Sequence, residues 1–327
     1  NDVPYVDFTK PWWNASMTTD LSYKGYAFLA QGDMDVSAIM NAGAIFYNKD
    51  LGTTYNFPDL YAIVREGKWT KDKLAELCAG TYKDINGDGT RDAGDQYGFA
   101  IDSKEDANGW LWAFGKKIYD KNDDGTFTNV YYDEKLVNIV EWLYNFKYNE
   151  DYTYTDDQWN TGYTLMAAGQ TVFADDDLSH ALWMRDVDID FAILPKPMWD
   201  EAQGTFYAGA NDQFTVLVFP IDTQESDYEY LGTITEALAI ESARTVRPAF
   251  YNSALKNRYS MDANTAQIID IIMDGRRFDF SFQYGNDILV PYMFRNQIIA
   301  QSNDIVSTYE KSQKAIETKL SAIAGYY

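Results

Sequence analysis

Twelve consecutive residues, Asp84-Ile85-Asn86-Gly87-Asp88-Gly89-Thr90-Arg91-Asp92-Ala93-Gly94-Asp95, place oxygen-bearing side chains at loop positions 1, 3, 5, 9 and 12. Gly89 occupies position 6, where the backbone must turn sharply, and the Thr90 carbonyl can serve position 7. This is the ligand order of a calcium loop, so Asp84, Asn86, Asp88, Thr90, Asp92 and Asp95 are the expected ligands of a Ca2+ ion. Position 12 is Asp rather than Glu, which shortens the bidentate reach and lowers the expected affinity. The competing reading is a solvated acidic turn. One helix, over roughly 71–81, precedes the loop and a strand-like Tyr97-Gly98-Phe99-Ala100 follows it. An ion here would therefore brace the chain rather than signal, because a sensor needs two helices to swing. Asp120-Lys121-Asn122-Asp123-Asp124-Gly125 looks like a second such loop, but Tyr131 falls at its twelfth position, and a hairpin turn is the better reading.

Other reactive residues are scarce. Cys78 is the only cysteine and lies in an apolar helical stretch, so it should be buried and inert. His180 is the only histidine, beside Asp175-Asp176-Asp177, and no nucleophile motif accompanies it. The chain carries 27 Lys and Arg against 50 Asp and Glu, a formal charge of −23. No basic stripe is available to displace counterions from phosphates, which excludes nucleic acid as a partner. The same charge weighs, less strongly, against an anionic ligand. Aromatic residues reach 16%, with 26 Tyr and 9 Trp. Flat rings freeze few rotors and stack on the apolar C–H face of a pyranose, so an acidic, aromatic-rich binder points to carbohydrate. No run of 18 apolar residues occurs, so no membrane-spanning helix is expected.

The elements that must position these residues alternate between strand and helix. Strand-like runs occur at 26–29, 44–47, 170–173, 191–194 and 214–219, the last apolar nearly throughout and so expected to be buried on both faces. Thr70 caps the helix that follows it, with Asp72 in the first turn. Leu136, Ile139, Val140, Leu143 and Phe146 share one face of a helix over 133–148. Gly169 ends another helix, and further helices are expected at 227–245, 262–275 and 303–322. The alternation predicts an α/β layered fold.

Several segments in fixed order then match a known pattern: Tyr47-Asn48-Lys49-Asp50-Leu51, Glu66-Gly67-Lys68-Trp69-Thr70, the loop Asp84 to Asp95 running into Gln96-Tyr97-Gly98-Phe99, the helix ending at Gly169 before Thr171-Val172-Phe173, and Ala192-Ile193-Leu194-Pro195. Together they resemble the extracellular solute-binding proteins of carbohydrate ABC importers, the family that includes maltose-binding protein. Lys10-Pro11-Trp12-Trp13 resembles a Gram-positive branch of it. The resemblance spans essentially the whole chain. It implies a two-lobed periplasmic-binding-protein-like α/β fold of type II, with residues 1–42 and 215–255 in the first lobe and 43–214 and 256–327 in the second. Members begin with a lipoprotein signal and two or three further β-α units, so the resemblance also implies that an N-terminal portion is missing and the first lobe incomplete. It implies a monomer outside the cell, a surface lipoprotein held only by a lipid anchor on that missing portion, whose partners are a carbohydrate and an ABC permease. Some members carry a calcium loop at the same place.

The resemblance and the chemistry of sugars together nominate ligand residues. Asn108, Trp110 and Trp112 follow the strand at 97–100; an extended segment puts both indoles on one face, and a helix makes them diverge. Asp175 and Asp177 follow the strand ending at Phe173 in what reads as a loop, with Trp183 nearby. Asp33 and Asp35 precede the crossing strand near 42. Phe282 and Tyr284 match a loop that supplies a stacking aromatic. Trp12, Trp13 and Tyr207 complete the set, with Asn211 weaker. The rival readings are a glycoside hydrolase, which needs two carboxyls about 5–10 Å apart, an adhesion module with an exposed apolar patch, and the same fold with a peptide or other polar cargo.

Overall fold

The structure is a computed structural model that describes residues 3–102, 107–156, 158–209, 214–255, 263–283 and 290–325. Its centre is a five-stranded mixed sheet. The strands of the chain, in order, are β1 (Gly43–Asn48), β2 (Tyr97–Ala100), β3 (Tyr119–Lys121), β4 (Phe127–Asn129), β5 (Thr153–Tyr154), β6 (Thr171–Asp177), β7 (Phe191–Pro195), β8 (Ala208–Gly209) and β9 (Arg276–Arg277). The central sheet has the order β5-β2-β6-β1-β7. β2 runs parallel to β5 and β6, whereas β1 lies antiparallel between β6 and β7, with Gly43 opposite Asp177 and Tyr47 opposite Phe173. β1, β2 and β7 are buried along their whole length because helices cover both faces.

The covering helices follow from local sequence. Thr70 accepts a hydrogen bond from the Lys73 amide and starts the helix Lys71–Cys78. Asp133 accepts one from the Leu136 amide and starts the helix Glu134–Tyr148, which buries Leu136, Ile139, Val140, Leu143 and Phe146. Five such side chains stabilise the fold by roughly 1.5–3 kcal/mol each relative to exposure. The helix Thr161–Ala167 stops where Gly169 takes φ 72°. The Asp120–Gly125 stretch is the turn of the β3–β4 hairpin. Cys78 is buried, and burial pushes its thiol well above the ordinary range.

The remaining parts, 3–42 and 214–255, contain the helices Ala15–Leu21, Ser37–Met40, Tyr228–Arg244 and Val246–Leu255. Two strand expectations need correction here. Residues 26–29 and 214–219 form no strand; they meet through the single Ala30–Leu217 bridge. An apolar run needs neighbours on both edges to become an interior strand, and one partner residue does not supply them. Val218 and Ile221 are accordingly exposed, as are Tyr230 and Leu238. Among the described residues, no helix is long and apolar enough to cross a membrane.

Candidate functional site

A groove of about 580 Å³ lies where the helix Ala15–Leu21 faces the β3–β4 hairpin, Trp112, Tyr207 and the segment Arg277–Phe280. That volume suits a small polar ligand. Tyr207 leads into β8, and Arg277 ends β9, which pairs parallel with β8. The Arg277 guanidinium lies over the Tyr207 ring, 4.5 Å from its centroid. Trp112 packs across Gly209: a Cβ there would stand 1.9 Å from the indole Cε3. Glycine at 209 is therefore what lets the indole lie against the wall of the groove.

Asp20 on the opposite helix faces Arg277. Burial pushes its carboxyl above the usual range, against the pull of that guanidinium and of the Phe278 amide. Asp279 sits behind the groove wall. Its Oδ2 accepts from the Ile118 and Tyr119 amides at 3.2 and 3.4 Å, and its Oδ1 from the Ser281 amide and hydroxyl at 2.9 and 2.5 Å. Burial still raises its carboxyl. Asp279 thus ties the hairpin to the β9 segment.

Trp110 and Trp112 diverge because they lie on the helix Ala107–Ala113, not on an extended segment. Trp112 lines the groove but is itself largely buried, at 7% exposure. Trp110 is fully buried, and its indole N–H donates to Asp175 Oδ2 at 2.5 Å. The other oxygen of Asp175 meets the Lys196 ammonium in an ion pair with no exposure on either side chain. Trp110 and Asp175, nominated as ligand contacts, are thus placed in the core. The reason is that β6 continues through Asp177, so the three acids end a strand instead of forming a loop. Asn108 is also buried, and its Oδ1 has no hydrogen-bond partner among the described residues.

Trp12 and Trp13 do not line the groove. Both indole N–H groups donate to one carboxylate, Glu236, at 2.8 and 2.9 Å. Asp35 caps the following turn, accepting from the Ser37 amide and hydroxyl at 2.9 and 2.8 Å. Asp33 faces Arg247 at 3.5 Å, and burial raises its carboxyl. These four residues organise the first part of the chain. Tyr284 and Asn211 lie outside the described residues, as does the side chain of Phe282.

A second polar cluster stands beyond the end of β6. His180 Nδ1 pairs with Asp176 and lies 3.6 Å from Asp177, while Nε2 meets Asn160 Oδ1 at 3.2 Å. Burial alone would lower the imidazolium pKa, but the two carboxylates outweigh it and raise it to about 9. Tyr163 and the exposed Trp183 pack on the imidazole. Asp177 stands opposite Gly43, and Gly43 approaches Gly209. The cluster and the wall of the groove thus lie toward one end of strands β1 and β6.

In the acidic loop, Asp84 accepts from the Gly87 and Gly89 amides at 2.6 and 3.0 Å, Asn86 from Asp88 at 3.0 Å, and Asp88 from Thr90 at 2.6 Å. Gly87 and Gly89 take positive φ, which makes these tight turns accessible. Asp95 is fully buried; its Oδ2 accepts from the Tyr82 hydroxyl at 2.9 Å, and its Oδ1 has no hydrogen-bond partner among the described residues. An all-oxygen donor set with one orphaned buried carboxylate oxygen fits a hard divalent cation.

No protein-family model matches the sequence, and no curated protein matches it. Solved structures do match its fold. The maltose/maltodextrin-binding domain MalE from Bdellovibrio bacteriovorus bound to maltotriose superposes with TM-score 0.61 at 16% identity, over 93% of this chain and 75% of that one. An extracellular solute-binding protein from Staphylococcus aureus in complex with maltose gives 0.62 at 15%, over 98% and 79%. UgpB from Mycobacterium tuberculosis in complex with glycerophosphocholine gives 0.58 at 16%, over 98% and 77%. The fold is thus the two-lobed type II fold of the solute-binding proteins, as the ordered motifs led one to expect.

Sequence reasoning missed Asp20, Lys117, Lys121 and Arg277 at the groove. Arg277 directly precedes the Phe278–Tyr284 stretch that the resemblance singled out, and that adjacency was a usable signal. Asp20 had none, since it is one acid among fifty.

Proposed function

We propose that this protein captures a sugar or oligosaccharide in the groove and delivers it to the permease of an ABC importer, without altering it. One observation carries the reading. Trp112 and Tyr207 stand on one wall, the helix Ala15–Leu21 stands on the other, and the fold is one whose solved examples hold maltotriose, maltose and glycerophosphocholine. A ligand touching both walls favours whichever state brings them together. Aromatic faces take the C–H face of a ring, and the charged side chains take its hydroxyls. The setting is extracellular, with attachment through a lipid anchor and action as a monomer. We further propose a structural Ca2+ in the loop Asp84–Asp95, supported by the orphaned Asp95 oxygen. Calorimetry against a glycan panel tests the main reading. Saturable binding without product formation is expected, weakened at least tenfold by Trp112→Ala. Hydrolysis products would favour a glycoside hydrolase, and no binding by any saccharide would refute sugar capture.

A further inference from the structure

The groove reverses the charge balance of the chain. Its lining carries Lys116, Lys117, Lys121 and Arg277 against Asp20 and Asp279, whereas the whole chain has nearly two acids per base. The pairing of each charge matters more than the count. Lys116 is neutralised by Asp133 at 2.8 Å and Lys117 by Asp120 at 2.7 Å, both outside the groove. Asp279 is buried, and its oxygens are taken up by the Ile118, Tyr119 and Ser281 donors.

Lys121 and Arg277 remain, with Asp20 and the buried Asp279 on the acidic side. Lys121 donates to the Thr19 carbonyl at 2.7 Å and to the Ser22 hydroxyl, neutral acceptors that leave its charge uncompensated. Arg277 donates to its neighbour's carbonyl at 3.0 Å, again a neutral acceptor, and its plane is held over Tyr207. Asp20 acts on both and cannot balance both. Among the described residues no carboxylate stands within ion-pair distance of Lys121 or Arg277, and both line the groove beside aromatic surface. A planar guanidinium fixed on a ring matches a carboxylate or sulfate with two parallel hydrogen bonds. The field of the chain as a whole repels anions, but at physiological salt it is screened within about 8 Å. Recognition would then rest on these short-range contacts rather than on long-range steering.

We infer that the solute of this groove is an acidic saccharide, its anionic group seated on Arg277 and Lys121 and its ring against Trp112 and Tyr207. This rests on the sugar-capture reading and narrows it, against the weight of the net charge. The two sources of the anion are a uronate carboxylate and a sulfate ester.

The test is calorimetry at fixed ionic strength with uronate oligosaccharides, sulfated oligosaccharides and neutral counterparts of the same linkage and length. One acidic series is expected to bind at least tenfold tighter than its neutral counterpart, and which series does so identifies the source. In Arg277→Gln and in Lys121→Gln that ratio should fall below threefold, with Arg277→Lys intermediate, in variants whose melting curves show a folded protein. Neutral sugars binding as tightly as acidic ones would overturn the inference and leave sugar capture standing. So would a ratio unchanged in both glutamine variants. If no saccharide of either kind binds, both readings fall together.

Discussion

Removing Lys196 should damage the core around the central sheet more than any other single truncation of a polar side chain described above. Its ammonium lies in the core, paired with Asp175 and 5.0 Å from the centroid of the Trp110 ring, and Trp110 in turn donates to the same carboxylate. At about 3 Å and an effective dielectric near 20, the Coulomb attraction is about 5.5 kcal/mol. Desolvation of both ions cancels much of this, so the pair has little net worth against an apolar substitute. Taking away one partner is different, because it leaves the Asp175 carboxylate charged and buried, at a cost of about 3–5 kcal/mol. Lys196→Met should therefore lower stability by that amount. With a urea m-value of about 3 kcal/mol per M, the midpoint falls by roughly 1–1.7 M. Asp175→Asn/Lys196→Met removes both charges and should recover about 2 kcal/mol relative to Lys196→Met alone, a coupling that a double-mutant cycle reads directly. Trp110→Phe should cost about 1.5–3 kcal/mol through the lost charge-assisted hydrogen bond and leave ligand affinity within twofold. A midpoint shift under about 0.3 M for Lys196→Met, or strict additivity in the cycle, would refute the reasoning. A large loss of affinity in Trp110→Phe would return Trp110 to the ligand site.

Gly209→Ala places a methyl 1.9 Å from Trp112 Cε3, so the indole must move toward the groove; ligand affinity should fall at least tenfold, and unchanged affinity would show that Trp112 does not shape the site. Chelation should lower the melting temperature: saturation at 100 times Kd contributes about 2.7 kcal/mol, or roughly 5 °C for a chain of this size. An identical melting curve for calcium-loaded and verified metal-free protein would remove the calcium assignment. Burial raises Asp176 to about 7 while, against burial, the carboxylates raise His180 to about 9, so the ion pair is complete only between these values: below about 7 Asp176 takes up a proton, and as pH rises through about 9 the imidazolium loses its own. Melting temperature followed from about pH 7 to 9.5 should fall more steeply in the wild type than in His180→Gln, and superimposable profiles would discount the pair.

The sequence by itself determined the helices, their caps and the α/β class. Capping by Thr70 and Asp133, the apolar stripe of residues 134–148 and the stop at Gly169 are local, and local physics acts the same wherever the chain folds. The ordered motifs also led to the two-lobed fold, because segment order survives where residue identity has fallen to 16%. Tertiary structure alone decided which polar and aromatic residues line the groove. Trp110 and Trp112 are two residues apart, yet one lies in the core and the other at the groove, because the segment is helical. Asp175 reads as a loop acid until the length of β6 and the reach of Lys196, the residue after β7, are known. The cations of the groove are invisible in a chain of charge −23, since Lys121 and Arg277 stand 156 positions apart and come to line one groove only through folding. Charge is summed along a sequence, but a ligand responds only to the charges that folding brings within a screening length of it.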